Sequence, residues 1–132
     1  MIVSNSNKEV QVPITRTNYS VNKWVSENND ILTIPRTAQD ILDAKAEGKL
    51  AVTLCFQNSH MLANDLDRVD TFRDLGVLTM QLTYNGTNRL GGGANVNSNI
   101  ALSEFGHRAV EKMNDSKVLI DLSHSGKRTC LD

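Results

Sequence analysis

Much is scarce in this chain. It has two cysteines and two prolines, aromatic residues make up 5% of it, and neither sign of charge dominates. Two thiols with no CxxC spacing exclude a zinc-finger-type site and a disulfide-built scaffold, and both are expected reduced. Net charge is -1, and there is no long basic or acidic run, which argues against nucleic acid or an anionic membrane surface as a partner. No apolar stretch approaches the ~20 residues of a membrane span. The first 20 residues contain no signal-like apolar core, so a cytoplasmic location is expected. No repeat or low-complexity tract is present. With 132 residues the chain is long enough for one domain with a real core.

What is present is a set of three apolar runs, each breaking into polar residues at its C-terminal end. Leu50–Phe56 runs into Gln57, Asn58, Ser59 and His60. Val77–Thr83 runs into Tyr84 and Asn85. Val118–Ser123 runs into His124 and Ser125. Segments of helical period lie between them. Thr37 with Asp40 forms a capping signal before Ala38, Ile41, Leu42 and Ala46, and Gly48 closes that helix. Leu62, Leu66, Val69, Phe72 and Leu75 share a face of the next helix, which Gly76 ends. Ser103 caps a third helix, with Phe105, Ala109, Val110 and Met113 on its apolar side. A shorter helix is expected around Val21–Asn28, with Pro35 punctuating after it. The first 18 residues are polar and aperiodic. A loop rich in Asn and Gly spans Asn85–Asn99.

Strand, helix, strand, helix, strand reads as α/β with adjacent parallel strands. Continuous apolar runs imply burial on both faces. In parallel architectures the strand C-termini form the ligand edge, so the polar residues gathered there are the functional candidates. A doubly wound nucleotide-binding sheet is disfavoured, because no glycine fingerprint follows the first strand. Gly91–Gly93 lacks the Lys-Ser/Thr of a phosphate loop. Asn85–Thr87 meets the glycosylation sequon but sits on the expected ligand edge. Eight residues follow His124, and no helix is expected to cover the last strand.

The C-terminal half carries a resemblance. Asp70–Val77, Gln81–Asn85 with Asn88, Gly91–Gly93, Leu102–Gly106, Met113–Asn114 and Leu119–His124 with Thr129 follow one another in the order and spacing of the membrane (renal) dipeptidase family of metallopeptidases. Ala44–Val52 is similar to the segment leading into that family's third strand. The resemblance implies a partial TIM (β/α)8 barrel, a single partial domain over residues 1–132 holding about three of the strands. It implies hydrolysis of dipeptides by a metal-activated water, with zinc as cofactor in the complete protein.

Residue by residue, the resemblance makes His124 a metal ligand. It puts Gln57 at the position of the family's bridging carboxylate and Tyr84 at that of a substrate-contacting histidine, and it brings His60 near the active edge. Gln57, Tyr84 and His60 are thus the substrate-binding candidates. No His-x-Asp motif is present among the three histidines, His60, His107 and His124. A neutral amide at 57 binds zinc weakly and cannot offset two dications. The chain as written is therefore expected to be inactive. The competing expectation is a non-catalytic, truncated or decayed paralogue acting as a small α/β unit. His107 is expected on a helix surface, and strand alternation would turn Asp121 away from His124. Open sheet edges would favour homo-oligomers.

Overall fold

A computed structural model describes residues 18–96 and 99–132. The aperiodic N-terminal segment lies almost wholly outside them. The chain divides into two compact units, Met1–Leu54 and Cys55–Asp132.

In the first unit, helix α1 covers 18–27 among the described residues. It ends in a turn closed by the Asn28 N–H on the Val25 carbonyl at 3.1 Å. Strand β1 (Leu32–Thr33) pairs in parallel with β2 (Leu50–Ala51), matching Leu32 to Leu50 and Thr33 to Ala51. A two-residue strand carries no readable period, and β1 was not expected from the sequence. Helix α2 (Ala38–Ala46) crosses between them. The Thr37 hydroxyl accepts the Asp40 N–H, and the Asp40 carboxylate accepts the Thr37 N–H at 3.0 Å, a complete capping box. Gly48 closes the helix at φ +71, a left-handed conformation that glycine adopts without a Cβ penalty. The expected apolar face is not buried: Ile41 and Leu42 are exposed, and Ala44 is the buried residue of α2.

The second unit holds β3 (Leu54–Phe56), whose first residue sits at the division. A 3-10 turn follows at His60–Leu62. Then come α3 (Arg68–Asp74), β4 (Val77–Gln81), α4 (Glu104–Asp115), β5 (Leu119–Asp121) and α5 (Lys127–Leu131). The sheet order is β3-β4-β5, all parallel, with Gln81 opposite Asp121. This is the expected order of strands in an α/β arrangement, with three corrections.

The run Leu50–Phe56 is not one strand. Its Val52 N–H still bonds the Thr33 carbonyl at 2.8 Å, following β1, and the chain then changes partners so that Leu54–Phe56 joins β4. The long helix expected before β4 is interrupted. Leu62 lies in the 3-10 turn, Ala63 takes φ +49, and regular helix starts only at Arg68. A helix does follow the last strand: α5, five residues long, too short for periodicity to announce.

Phe72, Leu62, Val69, Val77, Met80, Leu82, Leu90, Ala109, Met113 and Val118 are buried in this unit. The Phe72 ring meets Phe56 edge-on at 4.8 Å. Asp70 on α3 bonds Lys112 on α4 and accepts the Ser116 hydroxyl. The Lys112 hydrogen bond, then that of Ser116, holds the Asp70 carboxyl below its ordinary range, and Asp70 in turn holds Lys112 up. Burial on both faces is reached only by central β4. β5 is an edge, and its Leu119 is 65% exposed. Among the described residues no helix is long and apolar enough to cross a membrane.

Candidate functional site

Because β3, β4 and β5 run parallel, the residues after Phe56, Gln81 and Asp121 emerge at one edge of the sheet. That edge is organised around buried hydroxyls and amides. The Ser59 hydroxyl donates to the Gln81 carbonyl at 2.6 Å. The Gln81 side-chain amide donates to the Ser123 carbonyl, and its Oε1 is buried without a partner. Gln81 thus ties the loops after β3 and β5 to the end of β4. Its signal in sequence was a polar residue inside an apolar run, and it was not singled out.

Asn88 organises the next loop. Its Oδ1 accepts the Leu90 N–H at 2.8 Å and the Gly91 N–H at 3.2 Å, and its Nδ2 donates to the Leu82 carbonyl at 2.7 Å and the Asn58 Oδ1 at 3.0 Å. Every polar atom of that side chain is used, so Asn88 is structural. Gly93 lies against the loop after β4, where a Cβ would overlap the Asn85 carbonyl. Thr129, buried on α5, accepts the Gly92 N–H at 3.0 Å, and its hydroxyl proton faces the Gly92 and Ile100 carbonyls at 2.9 and 3.0 Å.

On this frame sit Tyr84, Asn85 and His124. The Tyr84 and His124 rings lie 4.4 Å apart between centroids, tilted by 33°. His124 Nδ1 is 2.8 Å from Asn85 Oδ1. A carboxamide oxygen can only accept, so Nδ1 donates here, and in the neutral imidazole Nε2 is then the acceptor. Asn85 and His124 both take left-handed backbone, φ +55 and +59. The His124 carbonyl is gripped by the Asn85 N–H at 3.3 Å, the Ala94 N–H at 2.9 Å and the Thr83 hydroxyl at 3.3 Å.

The strand ends at Asp121, so alternation no longer governs His124, whose place is set by this turn. Asp121 accepts the Ser123 N–H at 2.8 Å. The Ser123 hydroxyl, then its N–H, hold the Asp121 carboxyl below the ordinary range, with a smaller contribution from His124 and partial burial opposing.

The structure therefore brings Tyr84 and His124 together with Asn85, which the sequence placed at the ligand edge without giving it a role. Gln57 follows β3 directly at the same edge and is exposed. His60 opens the 3-10 turn and lines a small hollow of about 20 Å³ with Ser59, Ala63, Asn88, Arg89 and Leu90. Neither shares a described hydrogen bond with the Tyr84–His124 pair. His107 is on the surface, 3.5 Å from the Asp132 carboxylate.

A catalytic metal needs three or more protein ligands. Among the described residues no group of three His, Cys, Asp or Glu side chains is placed to hold one. His124 offers a single imidazole nitrogen, and Gln57 offers only a neutral amide. The described residues of this chain do not by themselves fit a catalytic metal.

Comparison with known proteins places this edge in context. The chain is 28% identical over 109 residues to an uncharacterised protein of the PQQ-III 3′ region of Acinetobacter calcoaceticus, covering 78% of this chain and 34% of that one. A crystal structure of an amidohydrolase from Pseudomonas aeruginosa superposes with a TM-score of 0.81 at 34% identity, over 87% of this chain and 35% of the other. A metallopeptidase from Rhodobacter sphaeroides, solved with a phosphinate mimic of the dipeptide L-Ala-D-Ala, shares the fold at 21% identity, with a TM-score of 0.73 over 84% and 34% of the two chains. The chain thus spans about a third of the length of the relatives it matches. The model of the membrane dipeptidases matches residues 2–132, nearly the whole sequence. By that match, the chain belongs to the membrane dipeptidase family, peptidase family M19.

Proposed function

We propose that the chain is the part of a dipeptidase-type hydrolase domain that contributes strands three to five of a (β/α)8 barrel, and that its strand-end edge forms one wall of a dipeptide site. The observation that supports this most is His124. It stands at the C-terminal end of β5 with Nδ1–H committed to Asn85 and Nε2 left as an acceptor. An imidazole presented this way suits metal ligation or a hydrogen bond from a substrate. We assign zinc to the complete domain, with His124 as this chain's ligand and the remaining ligands outside the described residues. Tyr84, beside it, and Gln57 and His60, at the same edge, are placed to line the dipeptide. Hydrolysis is not assigned to this chain alone, since among the described residues no donor set is placed to hold a catalytic metal.

A chimera tests the assignment. The R. sphaeroides metallopeptidase would have its matching third replaced by this chain and be assayed for dipeptide hydrolysis. We expect turnover that disappears with His124→Ala. A folded, active chimera indifferent to that substitution would remove His124 from the site. The isolated chain should show neither stoichiometric zinc after dialysis nor zinc-dependent turnover.

A second reading is a non-catalytic member of the family. Gln57 favours it, because an amide stands where the family resemblance places a carboxylate. A folded chimera without turnover, restored by Gln57→Glu, would support it.

A further inference from the structure

The side chain of Asn85 has one described partner, and that partner is His124. Most side chains of the neighbouring loops have structural duties: Asn88 is fully consumed by backbone groups and the Asn58 side chain, and Thr83 and Thr129 hold carbonyls. Asn85 differs. Its backbone, at φ +55, is already fixed by its N–H on the His124 carbonyl and by its own carbonyl, which accepts the Asn95 N–H at 2.9 Å. The side chain is not needed to hold the turn. It reaches the imidazole of a residue whose backbone is equally fixed, through three donors on the His124 carbonyl. Both ends of the Asn85–His124 hydrogen bond are therefore anchored before the bond forms, and little rotamer freedom remains for it to lose.

We propose that Asn85 is the positioning residue of His124. Its carboxamide oxygen fixes the imidazole in the Nδ1–H tautomer and aims the Nε2 lone pair at the strand-end edge. Tyr84 supports the same orientation by lying along one face of the ring at 4.4 Å, which limits rotation about the Cβ–Cγ bond. The arrangement makes His124 an acceptor at Nε2. A free histidine side chain exchanges between two tautomers; this one presents a single lone pair to whatever occupies the edge. The role of Asn85 deepens the dipeptidase reading and takes its functional meaning from it, but the tautomer itself depends only on the contacts named here.

Nitrogen-15 NMR of the uniformly labelled full chain reads the tautomer directly, with no metal and no substrate added. The three histidines are distinguished by single substitutions. The spectra are recorded in mildly alkaline buffer. The expected spectrum has the His124 proton on Nδ1. Asn85→Gly keeps the left-handed backbone open and deletes the acceptor; it should move the tautomer ratio roughly five- to tenfold toward Nε2–H, the effect of losing one neutral hydrogen bond. Asn85→Asp keeps an acceptor and should retain the Nδ1–H form, a rescue that a purely structural role for Asn85 would not produce.

A wild-type His124 with its proton on Nε2 overturns the proposal without any variant. So does an Asn85→Gly chain with an unchanged ratio. The outcome is separable from the dipeptidase reading, because a chain with no part in hydrolysis can still show the tautomer, and an active chimera can still lack it.

Discussion

Thr129→Val is the sharpest probe of the frame beneath the site. Valine keeps the shape of threonine and removes the hydroxyl, so no cavity opens. Thr129 is 2% exposed, and its oxygen is the described acceptor for the Gly92 N–H at 3.0 Å. Without it that donor is buried and unpaired, which costs ~1–3 kcal/mol. The Ile100 carbonyl loses its described side-chain donor, while the Gly92 carbonyl keeps the Gly126 N–H at 2.8 Å. The loss should be about 2 kcal/mol. Thr129→Ser keeps the hydroxyl and removes one methyl, about 0.8 kcal/mol of apolar burial. The stability order is therefore wild type, serine, valine, with the most hydrophobic of the three the least stable. Urea unfolding followed by circular dichroism measures it. With a slope of about 2 kcal/mol/M, the valine midpoint should fall by about 1 M, and the Gly92 amide should exchange faster with solvent. A valine variant as stable as the serine variant would refute the hydrogen-bond argument.

Other outcomes follow from single contacts. Gly106→Ala should destabilise α4 although alanine is the better helix former, because the new Cβ would overlap the Leu90 carbonyl; thermal melts settle the sign. Phe72→Ala should cost about 3–5 kcal/mol, enough to leave much of the second unit unfolded by circular dichroism. Asp70 and Asp121 both have depressed carboxyl values, so their stabilisation is present above the unfolded value of about 4 and lost as pH falls through their folded values. Lys112 is raised, so its contribution holds below its unfolded value and fades as pH rises through the folded one. The melting temperature should therefore be level between these limits and drop at both ends, and Asp70→Asn should flatten the acid limb. Leu119 on the open β5 edge is exposed; Leu119→Lys should lower the fraction of larger species in size-exclusion chromatography.

Much of the local structure was legible because it is written in short-range chemistry. The Thr37–Asp40 box, Gly48, Gly76 and Ser103 act within one turn of chain, and each stands where the sequence put it. The order of the three strands followed from their alternation with helices. What escaped was set by distant partners. Nothing within Leu50–Phe56 announces that Leu50–Ala51 pairs with Leu32–Thr33 while Leu54–Phe56 pairs with β4. The exposure of Ile41 and Leu42 depends on what packs against α2, not on their spacing. At the site, Tyr84 and His124 were marked by their place after strands. So was Asn85, but its role, like that of Gln81 inside the strand, exists only once the loops after β4 and β5 meet.

The left-handed backbone of His124 has a consequence for how this chain can change. A side chain with a Cβ is strained at φ +59, on the order of 1 kcal/mol, and glycine would relieve that strain, asparagine part of it. Either exchange would also forfeit the hydrogen bond to Asn85 and the ring contact with Tyr84. The gain and the loss are both on the order of 1 kcal/mol. Folding free energy is therefore nearly indifferent to glycine or histidine at position 124, so a lineage that keeps histidine there keeps it for its chemistry.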